Sequence, residues 1–88
     1  MKSSYIIFII PKAQKDLNSL EKKDFPKIQK VIETLAENPR PYGSLKLSGE
    51  EGYRIRVGTL RILYRIDDNA KKIFIYRVQH RKNVYKNL

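Results

Sequence analysis

Cysteine and tryptophan are absent from the 88 residues, histidine occurs once, and 9 acids stand against 19 lysines and arginines. Each shortage excludes something. Without cysteine there is no disulfide framework and no thiolate metal site, which fits a reducing compartment. A single histidine, His80, leaves no ligand set for a zinc site within the chain. The apolar run over residues 5–10 is far too short for a membrane span or a secretion signal. The expected location is therefore cytoplasmic, with no membrane partner. There is no phosphate-binding glycine loop, no metalloprotease helix and no nucleophile elbow, so neither a cofactor nor a metal is expected. Repeats and low-complexity tracts are missing too. A chain of this length makes one small domain, residues 1–88, with a modest core.

What is abundant is positive charge. The net charge is +10 and the isoelectric point is near 10.0, which points to nucleic acid, an anionic surface or an acidic protein partner. Six of the seven arginines (Arg54, Arg56, Arg61, Arg65, Arg77 and Arg81) fall in the C-terminal half, and lysine dominates the first half. Arginine makes fixed, bidentate contacts to phosphate, whereas lysine is a looser point charge. The second half is thus the expected working half.

Residues 52–66 organise the chain. They form two apolar-alternating runs around Gly58 and Thr59. Glycine at the first position of a two-residue turn suits a type II′ hairpin. That turn fixes the register: Val57 opposite Leu60, Arg56 opposite Arg61, Ile55 opposite Ile62, Arg54 opposite Leu63, and Tyr53 opposite Tyr64. By alternation, Tyr53, Ile55, Val57, Ile62, Tyr64 and Ile66 line the core face. Arg54, Arg56, Arg61, Leu63 and Arg65 line the other. Two arginines directly opposite one another destabilise a sheet by a few tenths to about 1 kcal/mol. Solvated faces normally mix signs, and this one carries no acid. The pattern fits a face that holds something anionic; the plainer alternative is a solvated strand face.

The remaining elements follow in order. Residues 4–10 read as a β-branched strand covered on both faces. Pro11 opens a short helix with a stripe of Ala13, Leu17 and Leu20. Asp24 caps a second helix, whose stripe is Ile28, Val31, Ile32, Leu35 and Ala36 and which stops at Asn38, before Pro39. Residues 39–43 are a loop and residues 45–47 a short strand. The last strand spans residues 73–78. A strict turn at Asn69 and Ala70 puts Arg77 on the core face. A bulged loop puts Phe74, Tyr76 and Val78 in the core and Arg77 among the arginines, and is preferred because an unpaired buried charge is costly. Residues 79–88 read as a polar tail. The expected fold is α+β, in the order β-α-α-β-β-β, or with a fourth strand after the helices if residues 45–47 pair: an N-terminal strand, then an antiparallel helical hairpin packed on one face of a mostly antiparallel sheet, with the arginines on the other face.

No pair of carboxylates stands out, and Asp67 and Asp68 sit where a turn explains them. The chemistry that remains is cationic. RNA cleavage without a metal needs a positioned 2′-hydroxyl, fixed cations on the pentacoordinate phosphate and a proton carrier. Arginines on a rigid sheet supply the cations. Histidine alone ordinarily titrates near neutrality, which makes His80 the candidate proton carrier, against the plainer alternative of an incidental histidine in a basic tail. Tyr85 is a candidate for stacking on a base or holding a phosphate. Lys46, Lys82 and Lys86, with Arg65 and Arg77, are candidate RNA contacts.

The segments GYRIRVGTLRILYRID (residues 52–67) and VQHRKNVY (residues 78–85), with Lys12, Ala13, Asp16 and Leu17 in the first helix, resemble the RelE family of the RelE/ParE toxin superfamily. The resemblance covers nearly the whole chain. It implies a ribosome-dependent endoribonuclease that cuts mRNA in the ribosomal A site and stops translation. It also implies an acidic, RelB-like antitoxin bound in a heteromeric toxin–antitoxin complex. The family's catalytic positions carry over onto Arg54, Arg56, Arg61, Arg81 and Tyr85. One departure stands out: the best-known members carry lysines where this chain has Arg54 and Arg56. Arginine stays protonated, so Arg54, Arg56 and Arg61 are expected to stabilise and align rather than abstract a proton, and His80 or a group of the ribosome to handle the proton. Two alternatives stand beside it. ParE toxins share the fold and poison DNA gyrase without cutting RNA, and charge alone would serve a non-catalytic nucleic-acid-binding module.

Overall fold

The computed structural model describes residues 4–48 and 52–80. Strand β1 (Ile6–Ile9) leads into helix α1 (Pro11–Asn18), with Pro11 in the first turn. A 3₁₀ turn (Lys22–Asp24) joins it to helix α2 (Phe25–Glu37). Strands β2 (Leu45–Lys46), β3 (Tyr53–Val57), β4 (Leu60–Asp67) and β5 (Lys72–His80) follow. They form a five-stranded sheet in the order β1-β5-β4-β3-β2. Only the β1–β5 pairing is parallel. The chain is α+β, with a mostly antiparallel sheet, as its pattern predicts.

One face of the sheet carries the core. Ile55, Val57, Leu60, Ile62, Tyr64, Ile73, Ile75 and Val78 are buried there against Ala13 and Leu17 of α1 and Ile28 and Leu35 of α2. Leu20, Val31, Ile32, Tyr53 and Ile66 pack around them. The helical stripes and the hairpin's core face are therefore those expected. The β3–β4 register is also the expected one, from Val57 opposite Leu60 to Tyr53 opposite Tyr64. Gly58 has φ 62°, as a type II′ turn requires.

Two expectations are corrected. The extra residue of β5 lies inside the strand, not in the loop. The strict register holds from Asp67–Lys72 to Tyr64–Ile75, then shifts so that Leu63 faces Arg77 and Ile62 faces Val78. This bulge at Tyr76 buries Ile73, Ile75 and Val78 together, which an unbroken alternation cannot do. Phe74 and Tyr76 consequently leave the core, and Arg77 still joins the arginine face. The strand also runs on through Gln79 and His80, past the expected end at Val78. The second correction concerns β1. Its helices cover one face only, and Ile6 and Phe8 remain exposed at 59% and 40%. Phe8 stacks on Phe74 with ring centroids 5.3 Å apart.

Among the described residues no helix is long and apolar enough to cross a membrane.

Candidate nucleic-acid interface

The open face of the sheet is built by alternation. Because β3 and β4 pair without a bulge, every second residue of the hairpin points away from the helices, and those residues are Arg54, Arg56, Arg61, Leu63 and Arg65. Arg56 and Arg61 pair directly near the Gly58 turn, and Gln79 of β5 continues that row. Arg54, Leu63 and Arg77 make the next row. Arg65 lies beyond, about 13 Å along the strand from Arg61 at roughly 3.3 Å per residue.

Burial separates their roles. Arg61 is 9% exposed and is the sole charged member of the buried set among the described residues. Arg54 is half-buried, while Arg56 and Arg65 are exposed. A guanidinium fixed in the middle of a sheet and largely screened from water acts on an anion through a lower dielectric than a surface lysine does. Arg65 stands over the Phe74 ring at 5.8 Å and Lys72 over Phe8 at 5.5 Å, so cations and stacked rings border the arginine rows on the β1 side.

Not every predicted contact faces the same way. Arg77 belongs to the open face by register, but its guanidinium turns to α1, where Nε donates to Asp16 at 2.8 Å and Nη2 at 3.4 Å. The same carboxylate accepts from the Val78 backbone N–H at 2.9 Å. Arg77 is therefore partnered within the fold rather than presented to a ligand. His80 pairs with Leu60 and, by alternation, shares the helix side of the sheet with Leu60 and Val78, away from the arginines. Lys46 pairs with Tyr53 and likewise falls on the opposite side from Arg54. The predicted positions Arg81, Lys82, Tyr85 and Lys86 lie outside the described residues.

Sequence reasoning missed a second cluster, which joins the loop after α2 to β3 and to the turn between β4 and β5. Arg40 donates from Nη2 to Asp68 at 2.9 Å and from Nη1 at 3.3 Å, and its Nε donates to the Tyr53 hydroxyl at 3.0 Å. Tyr5 donates to Asp68 at 2.8 Å. These hydrogen bonds, that from Arg40 first, hold the Asp68 carboxyl down at about 2 and push the Arg40 guanidinium above its ordinary value. Tyr64 donates to the Pro39 carbonyl at 2.8 Å, and burial raises its phenol. The loop after α2 is thereby pinned to β3, β4 and the turn between β4 and β5. The available signal was weak: an arginine between two prolines, and an aspartate that turn chemistry already explained. Between this loop and β3 lies an open cleft of about 790 Å³, with Arg54 and Arg56 on its wall. No cluster of three or more metal-ligating side chains occurs among the described residues.

Comparison with known proteins now places the chain. The family model described as the ParE toxin of the type II toxin–antitoxin system parDE matches residues 7–85. The Methanocaldococcus jannaschii protein named RelE1 for this toxin family is 35% identical over 77 residues, covering 83% of this chain and 86% of the relative. The toxin–antitoxin complex RelBE2 of Mycobacterium tuberculosis contains a chain that superposes with a TM-score of 0.78 at 29% identity, over 88% of this chain and 98% of the other. The archaeal RelE–RelB complex of Pyrococcus horikoshii gives 0.76 at 26% identity, over 89% and 96%. An arginine-bearing sheet backed by a helical hairpin, and likeness along nearly its full length, make this chain a member of the RelE family of type II toxins, within the RelE/ParE superfamily.

Proposed function

We propose that the protein is a ribosome-dependent endoribonuclease that cuts mRNA in the ribosomal A site. The observation that carries this reading is the placement of Arg54, Arg56 and Arg61 on one open sheet face, with Arg61 buried at its centre. In the proposed reaction the 2′-oxygen of one nucleotide attacks the adjacent phosphorus in line. The phosphorus–5′-oxygen bond breaks, leaving a 2′,3′-cyclic phosphate and a 5′-hydroxyl. Charge builds on the non-bridging oxygens at the pentacoordinate stage, and three guanidiniums held by a paired hairpin are suited to stabilise it without reorganising. They also take the place of a metal in this scheme. Arg81 and Tyr85 are proposed to complete the site, as in the family pattern.

Neither Arg54 nor Arg56 is a proton acceptor, because guanidinium does not deprotonate in proteins. His80 stands on the other side of the sheet. The 2′-hydroxyl proton is therefore assigned to a group of the ribosome, which also accounts for dependence on it, and the departing 5′-oxygen takes its proton from a second ribosomal or solvent donor. A RelB-like acidic antitoxin is proposed to neutralise the toxin in a heteromeric complex. Support comes from the RelE–RelB complexes among the structural neighbours and from the net charge of +10.

Primer extension on a defined mRNA in a translating extract tests this reading. Wild type is expected to give cuts at A-site codons, and Arg61→Ala, alone or with Tyr85→Phe, to lower the cleavage rate by roughly 10²- to 10³-fold. An absence of cuts beside an active control toxin overturns it. The ParE description of the matching family model supports a second reading, inhibition of DNA gyrase. A supercoiling assay separates the two.

A further inference from the structure

The loop between α2 and β2 ends in a turn whose aromatic residue has no structural work to do. Tyr42 is 104% exposed. No ring stacks on it among the described residues, where the stacked pairs are Phe8–Phe74 and Tyr53–Tyr64. Yet the turn that presents it is well fixed. Ser44 N–H donates to the Pro41 carbonyl at 3.0 Å, and Gly43 takes φ 97°, the arrangement of a type II turn with Tyr42 at its first corner. Just before it, the bonds of Arg40 to Asp68 and Tyr53, and of Tyr64 to Pro39, anchor the loop to the sheet. A large ring is thus held out in solvent on a rigid support.

What lies beside that ring gives it a use. Tyr42 lines the same cleft as Arg54, Arg56 and the exposed Leu45. Among the described residues no acid lines the cleft. Phosphate-binding guanidiniums next to an unoccupied aromatic plane are the two components with which proteins hold single-stranded nucleic acid: cations follow the backbone and rings take the bases. An acidic peptide would use the arginines but would leave the ring without a role.

We infer that Tyr42 is a stacking platform for the base of a single-stranded RNA nucleotide flanking the scissile phosphate, the phosphate that Arg54 and Arg56 hold. This rests on the ribonuclease reading above and adds to it a binding residue outside the arginine rows. Stacking one base on an aromatic ring contributes enough to shift affinity roughly 5- to 100-fold.

The test uses the full-length protein and ribosomes programmed with mRNA carrying 2′-deoxy nucleotides in the A-site codon, so that binding is read without cleavage. Single abasic substitutions are walked through the codon and its two neighbours. Tyr42→Ala is expected to weaken binding about 5- to 100-fold, with Tyr42→Phe and Tyr42→Trp close to wild type. At one abasic position the Tyr42→Ala loss is expected to vanish, which a merely structural role for the turn would not produce. The abasic series on the wild-type protein stands even where a variant folds poorly. If wild type binds and Tyr42→Ala binds equally well, or if its loss is the same at every abasic position, the platform is overturned while the ribonuclease reading stands. If wild type neither binds programmed ribosomes nor cuts mRNA, both fall. If Tyr42→Ala instead weakens only the complex with an acidic antitoxin segment, the cleft belongs to protein recognition and the platform is again overturned.

Discussion

Arg56 and Arg61 sit directly opposite one another in a hairpin whose turn allows no other register. Such a like-charge pair costs a few tenths to about 1 kcal/mol. It persists beside a core face filled with Ile55, Val57, Leu60 and Ile62, where burial outweighs the repulsion. The pair is a local conflict kept at a site of proposed charge stabilisation, so relieving it should trade activity for stability. Arg56 is the exposed member and can be changed without opening the interior. Arg56→Thr is expected to raise the melting temperature by a few degrees, the response of a domain this size to several tenths of a kcal/mol, and to slow mRNA cleavage in the same preparation. Differential scanning fluorimetry read beside a cleavage assay checks it; an unchanged or lower melting temperature would show that the two guanidiniums are already well accommodated.

At the scale of elements, α1 reaches the sheet through one carboxylate. Asp16 is the single acid of that helix, is 18% exposed, and accepts from Arg77 and from the Val78 N–H. It meets β5 beside the bulge, just ahead of the segment that carries His80 and Arg81. Asp16→Ala leaves a half-buried guanidinium and a backbone donor without that acceptor, a loss of about 1–3 kcal/mol. Chemical denaturation should show the destabilisation, and Asp16→Asn, which keeps a carbonyl oxygen, should lose less; equal losses would mean that charge, not the backbone contact, carries the bond. Nothing in the sequence pattern announces this contact. The hairpin was legible because a two-residue turn leaves one register, and the helices because their apolar stripes repeat at 3.6 residues. The bulge at Tyr76 was not, because choosing between strict and shifted pairing depends on fitting Ile73, Ile75 and Val78 beneath two helices at once. The faces of His80 and Lys46 were not legible for a related reason: one register step decides the face of each, and the structure places both opposite the arginine rows.

At the scale of the whole molecule, the cation excess makes each partnered acid valuable, and the exposed Asp68 joins segments far apart in the chain. Its carboxylate binds Arg40 of the loop after α2 and Tyr5 just before β1, from the turn between β4 and β5, with Lys71 nearby adding to the attraction. Its folded-state pKa is about 2, below the ordinary 3.8. Between those values the unfolded chain holds the proton more tightly than the folded one. Protonation therefore favours unfolding as pH falls, and the contribution of this carboxylate, complete above about pH 4, disappears on the way to about 2. The wild type is accordingly expected to be more stable than Asp68→Asn at neutral pH, and the gap in urea midpoint should hold to about pH 4 and close toward pH 2. A gap that stays constant across that range would show that the hydrogen-bond geometry, rather than the ionised carboxylate, ties the loop to the sheet. The same contacts support the turn bearing Tyr42, so Asp68→Asn should also weaken binding to programmed ribosomes at neutral pH if a fixed loop is what keeps that ring in place.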